Sequence, residues 1–105
     1  MTAEVIAVSG ASGAIGQQLV GRLQANGFDV IGLCRNPPEN GNGKTIWRSF
    51  SLSDPAKAMA ENLRGVDQVV HLAAIIPGKV PGDEGDAALW NVNVLGTQRL
   101  IEAMA

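Results

Sequence analysis

The sequence predicts an α/β fold built on a parallel sheet, and three observations carry that expectation. Unbroken apolar runs of strand length open at Val5 and Val30, the pattern of strands covered on both faces, and a further strand candidate opens at Val66. Between them lie stretches with apolar residues at helical spacing, the first followed by Gly27, which suits the left-handed position past a helix end, and the second ending before Gly65. The first run stops at Ser9 and passes into a turn with glycines at Gly10, Gly13 and Gly16, so that strand, tight turn and helix start follow one another as in a βα unit.

Composition narrows the rest. With 105 residues, 46% of them hydrophobic and 17% charged, the chain suffices for one packed domain, residues 1–105, and is too short for two. A formal net charge of −2 with scattered Lys and Arg leaves no footprint for a nucleic-acid backbone or an anionic membrane surface, so neither partner is expected. The apolar stretches are strand-sized and residues 1–4 lack the order of a secretory signal, which points to a soluble cytoplasmic protein. Cys34 is the single cysteine. Its place in an apolar run reads as a small buried thiol rather than a nucleophile.

In the first βα unit, Gly10 permits the sharp turn, Gly13 leaves room for close backbone approach, and Gly16 lets the helix lie tightly against the strand. The N–H groups of that helix's first turn and its positive dipole end then face outward and suit an anion. At a first βα junction the fitting anion is the pyrophosphate of a dinucleotide, with a ligand-free glycine turn as the alternative. A Walker-type phosphate loop would need Lys and then Ser or Thr where Gln17 and Gln18 stand. Helix one, residues 14–26, carries Ile15, Leu19, Val20 and Leu23 at helical spacing.

Strand two, residues 30–34, ends at Arg35. The residue just past this strand meets the adenosine ribose in a dinucleotide fold: an acid bonds a free 2′-hydroxyl, whereas Arg pairs with a 2′-phosphate. Arg35 therefore favours NADP over NAD, its other reading being a solvated loop charge. Asp29 precedes the strand and belongs to the opposite end of the sheet. Residues 37–44 are loop by composition. Residues 45–50 place Ile46, Arg48 and Phe50 on one side and Trp47 and Ser49 on the other, the mixed pattern of an edge strand. Asp54 reads as the N-cap of helix two, with Pro55 at its first position and Ala56, Met59, Ala60 and Leu63 as its apolar face.

Strand four, residues 66–72, has Asp67 at its start and Val69, Val70 and Leu72 buried, and it runs into Ala73 and Ala74, small residues that let a cofactor approach the backbone. His71, the single histidine, reads as a hydrogen-bonded structural side chain, and no metal site is visible. Residues 77–85 are loop. Asp86 can cap a last helix on which Ala88, Val92, Leu95 and Met104 fall near one face.

With these motifs placed, the chain resembles the N-terminal part of an extended or atypical short-chain dehydrogenase/reductase, the group that includes NAD-dependent epimerase/dehydratases. Four features carry the resemblance: G-A-S-G-A-I-G at residues 10–16, the acid-free R-N-P after strand two, H-L-A-A at residues 71–74 and N-V-L-G-T at residues 93–97. It implies a Rossmann-like three-layer domain with parallel strand order 3-2-1-4, ending before strand five. It also implies that Gly10, Ser12, Gly13, Ala14, Ile15 and Gly16 hold the pyrophosphate and Arg35 the adenosine 2′-phosphate. Leu72, Ala73 and Ala74 would line the nicotinamide-side ribose. Leu52 falls beside the adenine, where Ser51-Leu52 replaces the family's D-L pair, and Asn93 matches the asparagine that braces the family's active site.

The family's catalytic Tyr-x-x-x-Lys and its Ser or Thr partner fall past residue 105, and the sequence contains no tyrosine. The resemblance thus implies cofactor binding with no catalytic residue among these 105, in a fragment of an NADP-dependent enzyme. A self-standing module that senses a dinucleotide or assembles with a partner is the alternative. Without strand five, residues 69–72 would form an unpaired apolar edge, so a homodimer or swapped form covering that edge or the last helix is expected.

Overall fold

The computed structural model describes residues 4–37, 45–73 and 90–104, of which 90–92 in backbone only. In chain order these form β1 (Val5–Ser9), α1 (Ala14–Ala25), β2 (Asp29–Cys34), β3 (Ile46–Ser49), α2 (Ala56–Asn62), β4 (Gln68–His71), a π-helical segment (Trp90–Leu95) and α3 (Gly96–Met104). All strand pairs are parallel, in the order β3-β2-β1-β4. This is the α/β, Rossmann-like order expected. The chain divides into two compact units, Met1–Phe50 with Arg64–Ala73, and Ser51–Leu63 with Ala74–Ala105.

The first unit contains the sheet and α1. β1 and β2 lie in its middle and are buried along nearly their whole length, which is why their runs lack polar alternation. Ile6, Val8, Ala11, Val20 and Val30 form the core, with Leu19, Leu23, Phe28, Trp47 and Val70 packed against it. Burying each Val, Leu or Ile stabilises by about 1.5–3 kcal/mol. Gly32 interrupts β2 because the Trp47 ring of β3 lies on it: a Cβ there would stand 2.5 Å from the indole. At the N-terminal end of the sheet, the Asp67 carboxylate accepts the Val5 N–H at 2.7 Å and the Asp67 N–H donates to the Val5 carbonyl at 2.8 Å.

β3 is the sheet edge that its mixed pattern suggested, with Ile46 and Ser49 exposed. β4 is shorter than residues 66–72. Val69 and Val70 are half-buried rather than buried, because β4 pairs with β1 on one side and lies at the other edge of the described sheet. Leu72 lies past the strand end and is 40% exposed, against the expectation of a buried side chain. Gly27 takes φ +90° beyond the end of α1, in the left-handed region expected of it.

In the second unit α2 packs against α3. A Cβ on Gly96 would stand 2.7 Å from the Leu52 carbonyl oxygen, so only glycine allows this approach, and Arg99 Nη2 donates to the same oxygen at 2.6 Å. Leu52, Met59, Leu63 and Leu100 are buried.

Three expectations fail in this unit. Asp54 is not the N-cap of helix two. Pro55, extended at φ −67° and ψ 155°, occupies that place and Ala56 opens the helix. The Asp54 carboxylate instead accepts the Ser51 N–H at 2.9 Å, while the Asp54 N–H donates to the Ser51 carbonyl at 3.0 Å. A carboxylate spent on closing its own turn has no reach to the helix N–H groups. Ala60, assigned to the apolar face, is exposed. On the last helix Gly96 and Leu100 are buried and Met104 is exposed, because the π-helical segment shifts the register that an uninterrupted 3.6-residue period would keep. The Val92 side chain, Ala88, Asp86 and residues 77–85 lie outside what is described. Among the described residues, no helix is long and apolar enough to cross a membrane.

Candidate functional site

Everything in the turn after β1 follows from backbone groups that approach closely. Gly10 sits at φ +72°, and a Cβ on it would stand 3.0 Å from Ala73 N and 3.1 Å from the Leu72 carbonyl carbon. Its N–H donates to the Leu33 carbonyl at 3.0 Å, and its own carbonyl accepts the Gly13 N–H at 3.2 Å. Gly16 is tighter still, its absent Cβ lying 2.2 Å from the Gly10 oxygen. The next atoms that such a Cβ would meet are the Ala11 Cα at 2.8 Å and carbonyl carbon at 3.0 Å.

Gly13 differs from both. It is exposed, a Cβ would meet the Gly10 oxygen at an ordinary 3.5 Å, and its φ −75° and ψ 171° suit any residue. It is the N-cap of α1 and offers no side chain. The N–H groups of Ala14, Ile15 and Gly16 come before the first intrahelical bond, from Gln17 N–H to the Gly13 carbonyl at 2.9 Å. No side chain caps this end and no acid lies in its first turn. Ser12, Gly13, Ala14 and Ile15 are all exposed, Ile15 by 75%. Gln17 Nε2 donates to the Ser12 carbonyl at 2.8 Å.

Ser9 carries more of the site than its sequence reading allowed. It has no exposed surface, and its Oγ accepts the Leu72 N–H at 2.9 Å and the Ala73 N–H at 3.1 Å while lying 2.6 Å from His71 Nδ1. The signal was a lone hydroxyl ending an apolar strand, since such a group must find partners once buried. His71 is hydrogen-bonded as expected, and burial holds its imidazole below the ordinary pKa. Leu72 and Ala73 are thereby fixed beside Gly10. Ala74 lies outside the described residues.

Arg35 is exposed and follows directly on Cys34, the last residue of β2. Burial pushes the Cys34 thiol above its ordinary pKa, partly offset by hydrogen bonds with the Ser12 side chain and the Asn36 backbone. The Gly10 N–H bond to the Leu33 carbonyl holds the end of β2 against the glycine turn. Asp29 opens β2 beside Val5, at the far end of the sheet.

The model of the NAD-dependent epimerase/dehydratase family matches residues 6–105. The chain belongs to this family. It is 37% identical over 103 residues to dTDP-6-deoxy-L-talose 4-dehydrogenase (NAD(P)(+)) of Kitasatospora kifunensis, covering 95% of this chain and 30% of that protein. Among solved structures it is similar to a short-chain dehydrogenase/reductase superfamily protein from Agrobacterium tumefaciens with bound NAD, at 30% identity and a TM-score of 0.78, over 95% of this chain and 28% of that one. It is similar also to MoeE5 in complex with UDP-glucuronic acid and NAD, at 34% identity and a TM-score of 0.74, over 95% of this chain and 32% of that one. This epimerase/dehydratase family chain spans about a third of the length of those relatives.

Two more residues named by the family resemblance lie in the second unit. Leu52 is buried there with its carbonyl held by Arg99, and Asn93 is half-buried in the π-helical segment, its carbonyl accepting the Thr97 hydroxyl at 2.6 Å. Among the described residues of this family member, no group of three or more His, Cys, Asp and Glu could hold a metal ion.

Proposed function

We propose that the chain binds a nicotinamide dinucleotide, as the cofactor-binding part of an epimerase, dehydratase or reductase of its family. The observation that carries this reading is the start of α1, where the three N–H groups that precede the first intrahelical bond meet a glycine cap with no capping side chain and no acid in the first turn. Such an end suits an anion by hydrogen bonding and by the helix dipole together. Relatives with bound NAD support the choice of anion. Ala14, Ile15 and Gly16 would bind the pyrophosphate through their N–H groups, with Gly10 and Gly13 giving it room and Ser12 at its side. Leu72 and Ala73 would border the nicotinamide-side ribose.

At Arg35, a 2′-phosphate would find a guanidinium, and the stretch Arg35-Asn36-Pro37 that follows β2 carries no acid, which favours NADP over NAD. The name of the Kitasatospora relative allows either cofactor. Once bound, the dinucleotide supplies hydride chemistry, and these residues bind and orient it. No residue of the chain is assigned proton transfer, which in this family belongs to a tyrosine; the sequence contains none. We assign turnover to chain outside these 105 residues, and nucleoside-diphosphate sugars as the substrate class, following the relatives' names. The absence of tyrosine equally favours a second reading, a module that binds the dinucleotide without catalysis.

Calorimetric titration with NADPH and NADH, on the wild type and on Arg35→Ala, tests both levels. An Arg–phosphate pair of about 1.5–3 kcal/mol predicts a preference for NADPH of roughly tenfold or more that Arg35→Ala abolishes. Equal affinities in the wild type would remove the NADP assignment, and failure of both nucleotides to bind would remove the reading itself.

We further propose a homodimer or swapped form that covers the edge of β4, unpaired among the described residues, or the apolar residues Val94, Ile101 and Met104, all exposed on the last helical stretch. Light scattering at high concentration should give twice the monomer mass; a monomer would refute it.

A further inference from the structure

We infer that His71 is a positioning residue: held as the neutral tautomer with its proton on Nε2, it accepts the Ser9 hydroxyl proton at Nδ1, so that both Oγ lone pairs remain for the Leu72 and Ala73 N–H groups. The inventory of donors and acceptors leads there. A serine hydroxyl has one proton to give and two lone pairs to receive. Three partners surround Ser9 Oγ: Leu72 N–H at 2.9 Å, Ala73 N–H at 3.1 Å and His71 Nδ1 at 2.6 Å. Backbone N–H groups can only donate, so they take the two lone pairs, and the hydroxyl proton is directed to Nδ1.

With a proton on Nδ1, three donors would converge on two lone pairs, and the hydroxyl proton of a residue with no exposed surface would lose its acceptor. The Leu72 N–H also reaches the Ser9 carbonyl at 3.2 Å and could fall back on that sheet bond. The Ala73 N–H has Oγ alone as its hydrogen-bond acceptor among the described residues. Ala73 is therefore the group released when the arrangement fails, and it is the one that a Cβ on Gly10 would meet at 3.0 Å. The desolvated position of the ring favours the same neutral form. Its consequence for the cofactor rests on the reading that Leu72 and Ala73 border the dinucleotide.

The chain has a single histidine, so ¹⁵N labelling of histidine yields one imidazole to assign. At neutral pH its spectrum should show a protonated Nε2 and an unprotonated Nδ1; the opposite tautomer, or an imidazolium, overturns the inference. NADPH titration then tests the role. His71→Asn keeps an acceptor near the Nδ1 place and should bind within about threefold of wild type, whereas His71→Leu, checked for folding by its amide spectrum, should lose about tenfold or more. Equal binding by His71→Leu and wild type overturns the positioning role. If the wild type binds no dinucleotide, the cofactor reading has failed, and the tautomer alone decides this inference. If His71→Leu does not fold, the tautomer and His71→Asn decide it.

Discussion

Two glycines three residues apart serve opposite needs, and substitution separates them. At Gly16 a methyl group would lie 2.2 Å from the Gly10 oxygen, so Gly16→Ala must displace backbone and should cost about 1–3 kcal/mol, seen as a lower urea midpoint. At Gly13 the same methyl meets ordinary contact and ordinary dihedrals, so Gly13→Ala should stay within about 0.5 kcal/mol of wild type. The spacing of the glycines was plain in the sequence, but this difference was not, because it depends on which carbonyl folds back over which residue. Ser9 was opaque for the same reason: its partners are some sixty residues away and become neighbours only through the β1–β4 pairing. His71 adds a pH dependence. Burial lowers its folded pKa, so between that value and the ordinary 6.5 the unfolded chain carries more protons. Stability should therefore fall as pH drops through 6.5 and level off below the folded value, a slope that His71→Asn removes in denaturant titrations across this range.

Among the elements, those with one periodicity were readable and those with a break were not. β1, β2 and α1 emerge near their expected places because unbroken apolar runs and a single helical face state their burial directly. The start of α2 was misplaced by an Asp-Pro pair that suits two geometries, and the Ser51 N–H decided between them by capturing the carboxylate. The last helix was misread because a π-helical segment, Trp90–Leu95, changes the period just before Gly96. The anchor there is Gly96 against Leu52, a small residue in contact with backbone, which no hydrophobic pattern reports. Leu72 was counted as buried because strand four was extended past its true end, into the backbone stretch that Ser9 holds.

For the whole molecule, the strand order and the family rest on independent grounds, one on register and the other on a match across residues 6–105. The proposed cofactor site rests on a narrower base, a helix start with no capping side chain and no acid in its first turn. The most direct test of that claim is Gly13→Asp, titrated with NADPH beside the wild type and melted in parallel. Asp is a good N-cap and its charge favours the helix dipole, so the variant should be as stable as wild type or more so by about 0.3–1 kcal/mol. The same carboxylate would occupy the N–H groups assigned to the pyrophosphate and repel it, so NADPH affinity should fall by about tenfold or more. A stable Gly13→Asp protein that binds NADPH as tightly as the wild type would contradict the account.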